Sequence, residues 1–221
     1  MPNHFGVKVL EGKRGLKLTR EKYAVVSNKN SLPKFSHDIY ADEEGKIYSN
    51  DWCAKQLEDC LKNFDLNMEY LSILNNNEFN IEINKFIESN KCFVEVFDLN
   101  LYDQKPGYYI MVLDEYCQVY IGTAKNIKKR IRTHWSNSKS FDRLLCPMGA
   151  VNSSIIAFDS FRSLDTTRIF AYTTKITFDE EDKFINGFPA KFVGNRLAGG
   201  KITHGFSSLQ LITMLKSRKL D

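Results

Sequence analysis

The chain reads as an α+β protein. Residues 103–221 are expected to form a small antiparallel sheet flanked by helices, preceded by a mixed α/β N-terminal domain over residues 1–102. Three observations predict this. Two apolar runs, GYYIMVL and CQVYIGT, lie close enough to pair as a hairpin, and TRIFAYTTKI supplies a third strand. Between and around these runs lie stretches with helical spacing and capping residues. The 16 Phe and 10 Tyr favour mixed structure over a purely helical bundle.

From the start, VKVL and KYAVV carry strand-forming residues, broken at Gly12 and Gly15, and Asn28 to Pro33 is rich in turn formers. SNDWCAKQLEDCLKNF is expected to be a helix capped by Asn50 or Asp51, with Trp52, Leu57 and Leu61 near helical spacing. NEFNIEINKFIES is a second helix, with Phe79, Ile83, Phe86 and Ile87 on one face, and CFVEVFDL a strand. Asp103 to Gly107 is a turn cluster and the expected domain boundary. Asp114-Glu115 turns the hairpin, although no Gly is present to make the tightest kind. NIKKRIRTHW is a helix with Asn126 as N-cap. Residues 136–165 look like loop, and FDEEDKFINGF is a short helix ending near Gly187 and Pro189. GNRLAGGK is a glycine-rich loop, and SSLQLITMLKSRK a C-terminal helix.

Composition narrows the functional classes. At 221 residues, with 43% hydrophobic and 26% charged residues, the chain can build an ordinary packed core. No apolar run approaches the roughly 20 residues of a membrane helix, and the first residues do not read as a secretory signal. Cys53, Cys60, Cys92, Cys117 and Cys146 are odd in number and contain no CxxC, so reduced thiols in a cytoplasmic protein are expected rather than disulfides or structural zinc. The net charge of +4 is unevenly spread. Residues 1–34 carry eight Lys and Arg against two Glu, residues 35–100 are net −9, and residues 101–221 are net +7. Two basic regions around an acidic one suit contact with a polyanion, with a solvated surface as the plainer alternative.

The chemistry gathers in the second half. GYY at 107–109 is followed by YIG at 120–122, then Arg130 and His134 four residues apart on one helix face, then Asp179, Glu180, Glu181 and Asp182, then Pro189 and Asn195. Over roughly residues 105–200 this order resembles the GIY-YIG nuclease family, with GYY in place of GIY as a mild departure and YIG intact.

The resemblance implies a metal-dependent endonuclease that hydrolyses DNA phosphodiesters. One of Tyr109 and Tyr120 would be the general base and the other its partner; which is which stays open. A phenol has a pKa near 10, so neighbouring cations would have to favour its phenolate form. Arg130 suits a phosphate because its charge is permanent and its fork planar. His134 would relay a proton or bind phosphate. The expected metal ligand is Glu181, set by register against Phe184, Ile185, Pro189 and Asn195, with Glu180 as the alternative. A single carboxylate with several waters suits Mg2+, with Mn2+ as an alternative. Asn195 would orient that shell or a phosphate.

Around this core, Lys125, Lys128, Lys129 and Arg132 are candidate DNA contacts, at least half of them alternatively plain solvated surface. Lys13, Arg14 and Lys17 in the basic N-terminal arm are further candidates. Gly194, Gly199 and Gly200 would allow close backbone approach to DNA or simply form a loop. The cluster of Asp159, Arg162, Asp165, Thr166, Thr167 and Arg168 has no assigned chemistry and is expected to buttress the site or touch DNA bases, and residues 136–165 are long enough for a recognition insert. His4, His37 and His204 have no partner at ligand spacing. The expected partner is DNA, with no membrane contact; a dimer is compatible and the oligomeric state open. A restriction-type enzyme is the first expectation, with a mobile-element or repair nuclease, or a non-catalytic DNA-binding module of the same fold, as alternatives.

Overall fold

The computed structural model describes residues 1–12, 14–25, 48–137, 139–146, 148–175 and 180–195. Lys13, His37, His204, Gly199, Gly200 and the expected C-terminal helix lie outside these residues. The described part is mixed α+β, with two small antiparallel sheets and helices around them. A two-stranded ribbon pairs β1 (Asn3–His4) with β2 (Val7–Lys8). Its turn places Phe5 and Gly6 at φ 47° and 71°, the successive left-handed pair that a tight hairpin requires.

Three helices follow: α1 (Arg20–Tyr23), α2 (Asn50–Ser72) and α3 (Asn76–Ser89). Helix α2 starts because the Ser49 side chain accepts a hydrogen bond from the Trp52 amide, so the cap falls on Ser49 rather than on Asn50 or Asp51. Helix α3 is capped in the same way by Asn75. The KYAVV stretch, expected as a strand, is corrected here: its first two residues end the one-turn helix α1. Burial explains the change, because Tyr23 is 1% exposed and its ring lies 5.1 Å from that of Phe64 on α2. Tertiary packing outweighs β-propensity at this position.

The main sheet has four strands: β3 (Val94–Glu95), β4 (Gly107–Leu113), β5 (Gln118–Ala124) and β6 (Arg168–Thr173). Their order is β3-β6-β4-β5, every pairing antiparallel. β4 is central and buried along its whole length, which accounts for its unbroken apolar character. The β4–β5 hairpin closes through a 3-10 turn at Asp114–Tyr116, with Cys117 taking the left-handed position at φ 49°. The CFVEVFDL run contributes only two paired residues to β3, although the Val96 amide adds one more bond to Ile169 O.

Between β5 and β6 runs α4 (Ile127–Ser136), begun by Asn126, whose side chain accepts from the Lys129 amide at 2.9 Å. Ile127 and Ile131 are fully buried and seat this helix on the sheet. Two complete burials of this size contribute about 3–6 kcal/mol before entropy is counted. The short helix α5 (Glu181–Asn186) buries Phe184 on the other face, against Phe86, Phe93 and Tyr108.

One hydrophobic cluster runs from Val7 through both long helices to Val193. Residues on either side of the turn at 103–107 therefore share a core, and β3 from the N-terminal side lies in the same sheet as β4 and β5. Among the described residues no helix is long and apolar enough to cross a membrane.

Candidate active site

In the β4–β5 pair Tyr109 lies opposite Gly122, and Met111 opposite Tyr120. Residues directly across an antiparallel pair point to the same face, so Tyr109 and Tyr120 share one. Their ring centroids are 6.2 Å apart. The glycine of YIG has a steric reason. A Cβ on Gly122 would fall on the Tyr109 hydroxyl and within 3.0 Å of the Tyr120 ring. The glycine of GYY has another: Gly107, at φ 151°, lies so close to β6 that a Cβ would strike the Tyr172 carbonyl.

Helix α4 covers this face and brings two side chains to the tyrosines. The Tyr109 hydroxyl hydrogen-bonds His134 Nε2 at 2.8 Å, and His134 Nδ1 hydrogen-bonds Asp159 Oδ1 at 2.7 Å. Tyr109 is fully buried and His134 only 3% exposed. Burial drives the Tyr109 phenol well above 10; the nearby Tyr120 adds to this and Arg130 opposes it. Burial likewise raises Tyr120, again against Arg130. Burial holds His134 below 6.5 despite Asp159, so the ring is neutral at neutral pH. At Asp159 burial alone would raise the pKa, but the bond to His134, with Lys139 and Arg130, holds it below the ordinary carboxylate value. Burial would lower the Arg130 guanidinium, and the two phenols outweigh it. The Phe158 ring stacks on Tyr120 at 4.5 Å and closes one side.

Glu181 is the first residue of α5 and faces the end of β5. Burial, reinforced by Asp182, pushes its carboxyl up to about 7, and Arg130 and a hydrogen bond from the Thr123 amide offset only part of this. On the next residue, Asp182 Oδ1 is buried without a hydrogen-bond partner among the described residues, as is Thr123 Oγ1, whose side chain leaves β5 on the face opposite Tyr120. An under-compensated carboxyl, with an unpartnered carboxylate oxygen on the next residue, fits one hard divalent cation that keeps most of its water. Among the described residues no group of three or more His, Cys, Asp or Glu is placed to hold a metal.

No protein-family model, curated protein or solved structure matches the chain.

The structure thus brings Tyr109, Tyr120, Arg130 and Glu181 into electrostatic reach of one another, with His134 bonded to Tyr109 and within reach of Arg130. Asn195 is used differently from the expectation. It is 3% exposed, its Nδ2 donates to Ile121 O at 2.8 Å, and its Oδ1 accepts from the Ile121 amide at 3.1 Å. This clip, with the Gly194 amide on Val119 O, lays residues 193–195 along the free edge of β5. Asn195 therefore acts on the site through the strand that carries Tyr120.

The proposed DNA contacts divide. Lys125, Lys129 and Arg132 are exposed on or beside α4, whereas Lys128 is engaged by Asp103 at 2.9 Å. Arg14 turns inward and donates to Tyr23 O, and Lys17 pairs with Glu115 at 2.7 Å. The N-terminal ribbon instead offers Lys8, which lines a groove of about 420 Å³ with Asn126, Lys129 and Arg132. A second cleft, of about 480 Å³, opens beside Tyr120, Arg130, His134 and Asp159, with Lys139 and Arg143 on its walls.

Asp159 belongs to the polar cluster expected to buttress the site or touch DNA bases, but its pairing with His134 was not legible in the sequence. The separation of 25 residues from His134, across an irregular segment, left no periodicity to read. The dense run of polar residues from Asp159 to Arg168 was its only signal.

Proposed function

We infer that the protein is a metal-dependent DNA endonuclease of the GIY-YIG type, as the sequence resemblance implies. The observation that carries this reading is the 2.8 Å hydrogen bond between the Tyr109 hydroxyl and a neutral His134, beside Tyr120, Arg130 and Glu181. Phosphodiester hydrolysis needs an activated water, compensation for charge on the phosphorus oxygens, and help for the leaving oxygen.

A buried phenol well above 10 is a poor base alone. Paired with a neutral imidazole it becomes a relay. As water attacks phosphorus, its proton passes to the Tyr109 oxygen while the Tyr109 proton passes to His134 Nε2. The new P–O bond forms as the P–O bond to the leaving oxygen breaks, and His134 ends as an imidazolium. Arg130 suits the phosphate, with a guanidinium already poised against two phenols. Glu181 would hold Mg2+, or Mn2+ in its place, which when bound neutralises charge on the phosphate and the leaving oxygen. The cleft walled by Lys139 and Arg143, and the groove with Lys8, Lys129 and Arg132, offer cationic surface to the flanking phosphates. A restriction-type role is the narrower form of this proposal.

Purified protein incubated with plasmid DNA tests it. Nicked or linear product that requires Mg2+ and disappears with chelator supports the reading, and an intact plasmid at every metal concentration refutes it.

A further inference from the structure

We propose that Asp159 is a positioning residue that fixes the tautomer of His134 and thereby makes His134 the proton acceptor for Tyr109. The inference rests on the relay proposed above and assigns it a third member.

An ionised carboxylate can only accept hydrogen bonds. Asp159 is held ionised, so the proton in its 2.7 Å bond to His134 must sit on Nδ1. A neutral imidazole carries one ring proton, which leaves Nε2 as a bare lone pair. The Tyr109 hydroxyl, 2.8 Å from that nitrogen, must then donate to it. The opposite tautomer would place a proton between Nε2 and the phenol and leave Asp159 facing a lone pair. Asp159 thus sets the direction of proton flow from a distance, without touching Tyr109.

The position of Asp159 is built. Arg162 is 3% exposed, and its guanidinium donates to the carbonyl of Asp159 itself, to Ser160 O at 2.9 Å, to Asn137 O at 2.9 Å and to Trp135 O at 3.3 Å. Trp135 and Asn137 are the residues at the end of α4, immediately after His134. One buried cation therefore buckles the Asp159 segment to the helix that carries the imidazole. Asp165 in turn accepts the Arg162 amide at 2.7 Å and the Leu18 amide at 2.9 Å, so the buckle is anchored to the N-terminal region. During turnover the imidazolium formed at His134 keeps its Nδ1 proton, and its charge is balanced by Asp159. No proton needs to reach the carboxylate. The groups acting on His134 besides Asp159 are Arg130 and Lys139, both of which oppose its protonation, and the Tyr109 and Tyr120 rings lie beside it.

The test is nitrogen-15 NMR of the full chain at neutral pH, with the His134 signals assigned by their loss in His134→Gln. The wild-type ring should show a protonated Nδ1 and a bare Nε2. In Asp159→Asn the protonated-Nε2 form should gain population, and DNA cleavage should fall roughly a hundredfold or more, as for loss of a preorganised catalytic geometry. A wild-type ring protonated on Nε2 overturns the inference, and that measurement does not depend on any variant folding. So does an Asp159→Asn protein with an unchanged tautomer or wild-type cleavage. The tautomer is read without DNA, so a protein with the expected ring but no nuclease activity would sink the functional reading and leave the Asp159 assignment standing.

Discussion

Gly122 lies directly across the β4–β5 pair from Tyr109, and the space a Cβ would need there is already filled by the phenol. The neighbour that would have to give is a rigid aromatic ring with no exposed surface. Gly122→Ala should therefore displace the Tyr109 hydroxyl from His134 while keeping the strand. The expected result is a folded protein whose cleavage rate falls about a hundredfold, because a misplacement near 1 Å costs on that order. Rates alongside thermal melts check it. A fully active Gly122→Ala enzyme would mean that the phenol position is not critical.

Arg130→Lys should lose at least about a hundredfold in rate, since an ammonium cannot present two parallel donors to one phosphate. Near-wild-type single-turnover rates would reduce Arg130 to a part of the basic surface.

Tyr109→Phe should be more damaging than Tyr120→Phe, because Tyr109 alone is bonded to His134. Activity should also follow the imidazole rather than a free phenolate. His134 lies below 6.5, so cleavage should fall as pH drops beneath that value and stay level through neutrality. Rates for both variants over a pH series decide the matter. A profile that climbs steadily from neutral into alkaline pH would indicate a phenolate base acting without His134.

The same titration enters stability. His134 and His4 both have lowered pKa values in the fold, chiefly from burial. The unfolded chain then binds protons first, so stability is complete above the unfolded value of 6.5 and is lost as pH falls through 6.5 toward the folded values. Melting temperatures should drop between neutral and mildly acidic pH, and His134→Gln should reduce that drop. An equal drop in the variant would contradict the assignment.

Much of this site was legible in the sequence because its parts are local. Asn126 caps its helix as a helix start should, Arg130 and His134 follow at one-turn spacing, and the two tyrosines sit at a hairpin register that two apolar runs define. Where reading failed, the deciding contact was distant at Tyr23 and Asn195 but local at Ser49, three residues from Trp52. Ser49 took a cap expected at Asn50 or Asp51, and Tyr23 was drawn into a helical turn by Phe64. Asn195 was read as a polar site residue, but its amide is spent on the Ile121 main chain. Nothing near Asp159 in sequence announces His134.

The basic arm calls for a revised set of contacts. Arg14 and Lys17 are engaged within the protein, whereas Lys8, Lys129 and Arg132 line one open groove. Replacing these three with Ala should weaken DNA binding and lower the slope of log affinity against log salt by roughly one unit per lost phosphate contact. Replacing Arg14 and Lys17 should leave the slope unchanged. Binding isotherms over a salt series compare the two sets, and the reverse pattern would move the DNA path to the other face of the ribbon.

We propose that this chain cuts DNA with a metal held at Glu181. The most direct test is plasmid cleavage in Mg2+ by the wild type, Glu181→Ala and Glu180→Ala, with DNA binding measured for each. Cleavage is expected from the wild type and Glu180→Ala, none from Glu181→Ala, and binding from all three. Cleavage by both variants would contradict the metal assignment, and cleavage by Glu181→Ala but not Glu180→Ala would move it to Glu180.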